Sequence, residues 1–182
     1  MDYPYDQGSY RRTITTKSAE AQRWFDRGLN WCFGYHHQEA VACFEKALEA
    51  DPDCAMAHWG VGYAMGPNYN LPWEYLDPGT KAAFLAKAYD ATHAALARKD
   101  NVTAPERALI EALTARYPQR NAIDDQRPWN DAFAEAMRSP SDEKQMEDLL
   151  AAVDPRIRSA RLDSVNSKPF IVVDVGLGTR VP

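Results

Sequence analysis

The 182-residue chain carries only three cysteines, Cys32, Cys43 and Cys54. An odd number in a chain without a secretory leader argues against a disulfide framework, and thiols at this density are buried as small apolar side chains. No apolar run approaches the roughly 20 residues needed to cross a bilayer. The opening stretch, MDYPYDQGSY, has neither the basic nor the apolar segment of a signal peptide, so the expected compartment is the cytoplasm. Positive charge is in deficit, with 21 Lys and Arg against 26 Asp and Glu and a net charge of −5. With no basic stripe, neither nucleic acid nor a membrane is an expected partner. Catalytic signatures are missing too: there is no nucleophile elbow, phosphate-binding P-loop, metalloprotease helix motif or zinc-ribbon pairing. Gly176-Leu177-Gly178 lacks the third glycine and the following helix of a dinucleotide site. The chain is therefore not expected to be an enzyme or to hold a cofactor.

What is present is a helical pattern. The stretch Trp24-x2-Arg27-Gly28-x2-Trp31 is followed by Ala40-x3-Phe44 and then by Asp51-Pro52. Gly28 lets a second helix approach the first, and Trp24 and Trp31 lie two turns apart on one face. Ala40 is small where helices cross, Phe44 and Ala47 fill the space between them, and Pro52 cannot sit inside the second helix. These spacings resemble one tetratricopeptide (TPR) repeat, a helical hairpin of roughly 34 residues that needs neighbours to bury its core. Arg27 departs from that pattern, which has Leu there.

Residues 1–18 read as a loose arm whose Tyr3, Tyr5 and Tyr10 are able to drape over the first helix, with nothing in the sequence to fix them there. Helices are expected over about Ser18–Tyr35 and His37–Ala50, with a second repeat opening at Cys54 and Gly62 at its helix crossing. The segment Gly66–Gly79 is rich in Pro, Gly and Asn and must be a loop, with Asn68 and Asn70 bonding the loop backbone. Its apolar content predicts that Trp73 or Tyr75 is at least partly buried. The next helix covers Thr80 to about Arg98, with Ala88 and Ala95 at small-residue spacing. Pro105-Glu106 opens a third pair, Tyr117-Pro118 ends its first helix, and Trp129–Met137 starts the second. One more amphipathic helix is expected over Ser141 to about Val153. In the tail, Phe170–Val175 is a lone strand-like run without a partner, expected to be disordered or incidentally packed. The domain reading is thus an arm over 1–18, a TPR-like repeat domain over 19–138, and a divergent helix with a tail over 139–182. The expected fold class is all-α, an antiparallel helix-hairpin, TPR-like right-handed superhelix.

Beyond the generic repeat, the stretches Trp24–Trp31, Tyr35–Ala40, Asp51–Gly60 and Gly66–Asn70 resemble large TPR-repeat proteins of bacteria and fungi, a largely uncharacterised family. The resemblance covers about residues 19–117. It implies that this chain matches the N-terminal part of a longer architecture, from which it departs after Arg138.

Stacked TPR hairpins offer a concave face to extended or helical peptides. From the first helix, Gln22, Phe25, Leu29 and Phe33 are the groove candidates. Domains of this kind that clamp a terminal carboxylate have Lys and Asn where Phe25 and Leu29 stand, so the groove is expected to take an apolar peptide segment or, as readily, another part of the same chain. The expected partner is a protein or peptide, or a second copy of the chain. His36, His37, Cys54, Met56 and His58 are the candidates for an alternative, a metal-binding accessory role. Cys54-x3-His58 could chelate from one helix face, but the adjacent His36 and His37 diverge, and Cys54, Met56 and His58 fit the core of the second repeat. A fragment without independent activity is the remaining alternative.

Overall fold

In a computed structural model of the chain, the residues described are 3–68, 70–138, 157–165 and 168–175. They fall into two compact units, Met1–Met137 and Arg138–Pro182.

The first unit is built from helices: α1 (Ala19–Phe33), α2 (His37–Ala50), α3 (Ala55–Met65), α4 (Pro78–Leu96), α5 (Ala104–Thr114) and α6 (Arg127–Arg138). Ser18 caps α1 by accepting the Ala21 amide at 3.1 Å, and Asp77 caps α4 by accepting the amides of Gly79 and Thr80. Such caps satisfy amides that have no partner inside the helix. The α1–α2 turn is a left-handed cap. Tyr35 has φ +60°, its amide donates to Cys32 O at 3.1 Å, and the His36 amide donates to Trp31 O at 2.9 Å. Glycine usually holds that position because a side chain there costs energy. Here the glycine, Gly34, stands one residue earlier at φ −80°.

The centre of the unit is Phe44, fully buried on α2. A Cβ at Gly28 of α1 would lie 2.5 Å from its ring, and one at Gly60 of α3 would lie 2.6 Å from it. One ring is therefore wedged between two glycines, and this lets α2 approach both α1 and α3. The sequence pattern anticipates Gly28; it gives Gly60 no such role. Ala40 and Ala47 are fully buried, as the crossing requires. Gly62 acts likewise between α3 and α4, where a Cβ would meet Thr92 Oγ1 at 2.6 Å and the Ala88 carbonyl at 3.3 Å. α5 is fastened to α3 by polar atoms: Trp59 Nε1 donates to Leu109 O at 3.2 Å, and the buried Tyr117 hydroxyl donates to Gly62 O at 3.0 Å. The pairs α1–α2 and α3–α4 pack closely, and α6 packs less closely on α5. It is tied in by side chains, with Trp129 buried and Phe133 under the Arg116 guanidinium at 5.1 Å.

The α3–α4 connection is a built loop. Asn68 Oδ1 accepts the amides of Asn70 and Leu71, and Trp73 opens a short 3-10 turn with 2% of its surface exposed. Tyr75, two residues on, is 76% exposed.

The arm is held at many points, unlike the loose segment expected. The Thr15 amide and hydroxyl both donate to Glu106 of α5, at 2.7 and 2.6 Å, and Thr16 Oγ1 donates to Asp51 at 2.5 Å. Gln22 Oε1 accepts the Ile14 amide and its Nε2 donates to Arg12 O; Asp26 accepts the Arg12 amide at 3.0 Å. Farther back, Tyr3 meets Trp24 edge-to-face and accepts from Trp31 Nε1 at 2.5 Å, while Tyr5 meets Trp31 edge-to-face. The arm thus runs back along α1 while α1 runs forward. Trp24 and Trp31, which share one face of α1, are half-buried beneath it.

In the second unit, β1 (Ile157–Val165) pairs antiparallel with β2 (Lys168–Val175), Leu162 opposite Ile171, with a register irregularity between Ile157 and Ser159. This corrects one expectation, since Phe170–Val175 has a partner strand; the first unit is all-α, as expected. The partner strand escapes a periodicity reading because Arg158, Ser159, Arg161, Asp163 and Ser164 dilute its apolar residues. The helix expected over 141–153 lies outside the described residues.

Candidate functional site

The groove candidates separate in the structure. Phe25 is fully buried, with its ring 5.4 Å from Phe44, and Leu29 is 5% exposed. Neither is open to a partner, because that face of α1 turns toward α2 and the core. Gln22 has both ends of its amide bonded to the arm. Phe33 alone of the four is open, at 58% exposure, with Tyr10 against one edge of its ring. The four candidates therefore do not form one open apolar groove: Phe25 and Leu29 turn into the core, and Gln22 is engaged by the chain's own arm.

The metal candidates are not gathered either. His36 caps α2 through Nδ1, which accepts the Glu39 amide at 3.3 Å, and its ring lies 5.1 Å from Trp31. His58 is engaged with the Pro52 carbonyl at 3.0 Å, and Met56 is fully buried. Burial pushes the Cys54 thiol up to about 11 and Cys32 to about 12, so both are poor thiolate ligands at neutral pH. All three cysteines are buried and unbridged. Among the described residues no group of three or more His, Cys, Asp or Glu side chains could hold a metal ion.

Two cavities open at opposite ends of the helices. One, about 800 Å³, lies where α1, α3 and α5 begin and α2 and α4 stop, between arm residues 14–18, Ala50, Asp51, Asp53, Arg98 and Val102. Its polar groups answer one another. Arg98 donates to Asp53 at 3.1–3.2 Å, Thr16 to Asp51, and Thr15 to Glu106. Burial raises the Glu106 carboxyl, but donors from Thr15 and Thr103 outweigh it and leave the group below its ordinary value.

The other cavity, about 590 Å³, lies where α1 ends and α2 begins, closed by Tyr63 of α3, the loop residues Pro67, Asn68 and Pro72, Arg116, and Asn130 and Phe133 of α6. Cys32, Phe33, Tyr35 and His37 complete its wall, which includes no carboxylate. The Arg116 guanidinium lies 5.8 Å from the centres of the Tyr63 and Tyr117 rings. Its Nη2 donates to Pro67 O, which holds the loop, and it has no ion pair among the described residues. Arg116 Nε is buried without a partner, and so are both ring nitrogens of His37. Burial, then the charges of Arg116 and His36, hold the His37 imidazole below its ordinary value, so the ring is neutral at neutral pH. The chemistry offered is one fixed positive charge, one neutral imidazole and a ring-lined wall. The sequence reading took His37 as a metal candidate and gave Arg116 no role. A helix start and a helix end separated by 79 positions leave no local spacing signal.

Comparisons with protein-family models, with curated proteins and with solved structures return no match for this chain.

Proposed function

We propose that residues 19–138 are a TPR-like right-handed helical repeat that acts, without catalysis, as a protein interaction module in the cytoplasm. The partner is a second copy of the chain or a peptide segment of another protein. One observation carries this reading. Of the large apolar side chains exposed among the described residues, Tyr5, Phe33, Tyr35, Leu71 and Tyr75 all belong to the end of the unit that holds the smaller cavity; Met137 is the exception. Large apolar groups gathered at one end mark an interaction surface more often than the same groups scattered singly. The surface used is that end, because the arm already lies along α1.

Self-association is the form tested first. Sedimentation across concentration should show the mean mass rising, and Phe33→Glu with Tyr75→Glu should hold the protein monomeric without altering its helical content. The association should respond weakly to salt, since the surface is apolar. A wild-type chain that stays monomeric at all concentrations, and captures no peptide segment through this end, overturns the reading. The metal-binding alternative draws no support from donors that stand apart.

A further inference from the structure

We propose that the face of α1 and α2 beneath the arm is a recognition site for a tyrosine in an extended segment of another protein, and that the chain's own Tyr3 is its resident occupant. This goes beyond the interaction module, whose surface is the open end, because it assigns a second surface and what that surface recognises.

The site is shaped to one kind of side chain. The Tyr3 ring meets Trp24 edge-to-face at 5.4 Å, and the Arg27 guanidinium lies 4.1 Å from the centre of Tyr3 and 4.5 Å from that of Trp24. Arg27 has no ion pair among the described residues, so its charge is kept for the two rings. The Tyr3 hydroxyl accepts from Trp31 Nε1, donates to Glu39 at 3.5 Å and lies 3.6 Å from Cys43 Sγ. Burial pushes that hydroxyl up to about 12, so it stays protonated and remains a donor. A phenylalanine fills the place of the ring but answers none of these polar groups.

The resident segment is a removable and imperfect occupant. Among the described residues, the backbone of 3–9 makes no hydrogen bond to a helix; the amides that fix the arm begin at Arg12. Gly8 stands between the two parts with φ +73° and open space around it, so the chain can pivot there while residues 12–16 stay bound. Gln7 donates to Arg27 O at 3.4 Å, yet its Oε1 is buried without a partner. An apolar side chain in that place avoids the cost of the unpaired oxygen. The same defect selects the partner. The arm of a second copy brings the same oxygen and lacks the advantage of attachment, which for a short tether corresponds to an effective concentration of about a millimolar. A segment of another protein with tyrosine in the place of Tyr3 and an apolar residue four positions on gains what the arm lacks.

The test titrates the full chain into a fluorescently labelled, acetylated peptide that repeats residues 3–7 with leucine as its last residue, and follows anisotropy. Tyr3→Ala empties the site and leaves the caps and core of the helices in place. The peptide should bind this variant saturably, and about tenfold or more tightly than it binds wild type, where the arm competes. Alanine for the first tyrosine of the peptide should abolish binding, and phenylalanine there should weaken it about fivefold. Trp24→Ala combined with Tyr3→Ala should bind about tenfold more weakly than Tyr3→Ala alone. No binding to a Tyr3→Ala chain of native helical content overturns the proposal, as does equal affinity for wild type and Tyr3→Ala or for the tyrosine and alanine peptides. A fall in mean mass on sedimentation of Tyr3→Ala would show that arms are exchanged between copies and would overturn the assignment to another protein. Failure of the peptide leaves the open end to be judged by Phe33→Glu and Tyr75→Glu.

Discussion

At one end of the helical unit Glu106 receives four hydrogen-bond donors, the amides and hydroxyls of Thr15 and Thr103; at the other, both nitrogens of His37 receive none. Both ends have a cavity, and both bury polar side chains. They differ in what the chain supplies to them. The arm carries Thr15 and Thr16 into the first end, and the carboxylates there are answered by the protein itself. Nothing comparable reaches the second end, where an arginine and a histidine border a ring-lined space with no acidic side chain on its wall. A satisfied buried network stabilises a fold, and an unsatisfied one costs stability wherever it stands. The first end is therefore built for stability, and the second retains a cost that folding alone does not explain.

The comparison assumes that both ends share one core, and Gly60→Leu is the strongest test of that. The new side chain would drive into Phe44 from the α3 side. Loss of several kcal/mol, of order about 3 or more, is expected, with both ends melting in a single transition followed by Tyr and Trp fluorescence. Separate transitions would break the assumption.

Glu106→Ala comes next, with an expected loss of about 2–4 kcal/mol in chemical denaturation, because it strands donors of Thr15 and Thr103. Its pH dependence follows from the direction of the shift. Glu106 sits below its ordinary value in the folded chain, so its stabilisation is present at neutral pH. It is lost as the pH falls through and below the usual glutamate range. The difference between wild type and variant should shrink in acid; a difference constant with pH would show that the carboxylate charge is immaterial.

His37→Leu is the smallest change and has the opposite sign. Removing an unpartnered buried imidazole should raise stability by up to about 1 kcal/mol. His37 is also held below its ordinary value, so wild type should lose further stability as the pH falls through about 6.5, where the unfolded ring takes a proton that the folded ring resists. His58 is depressed in the same direction, mainly by burial, so the variant-minus-wild-type curve is the quantity to read. A destabilised His37→Leu would mean that the open end is satisfied after all.

Much of the helical frame was legible in the sequence because it rests on local signals. The reading placed α2 over His37–Ala50, as observed; it set α4 within two residues of its observed start from the end of the Pro- and Gly-rich loop, and α5 within one through Pro105 and Glu106. It singled out Gly28 and Gly62, and the burial of Trp73 followed from too many apolar residues in a loop. What it missed was non-local. Gly60 meets the same ring as Gly28, and nothing in the spacing of one helix says which face a third helix approaches. The path of the arm depends on Glu106 accepting from Thr15 across 91 positions. The face of Phe25 and Leu29 was read from the repeat pattern as open, but Phe25 meets the ring of Phe44 in the core. The open cavity draws its side chains from four helices, two turns and a loop, which no window of sequence contains.

Tyr35 shows what that cavity asks of the backbone. The left-handed position at the end of α1 costs a residue with a side chain roughly 1 kcal/mol compared with glycine. A glycine is available next door, and moving it by one place would relieve the turn. Instead the chain holds a bulky ring there, 63% exposed at the rim of the cavity, and spends Gly34 where any residue would fit. A turn tuned for folding alone would have the two exchanged. The order Gly34-Tyr35 thus preserves a compromise between an easy backbone and an aromatic rim.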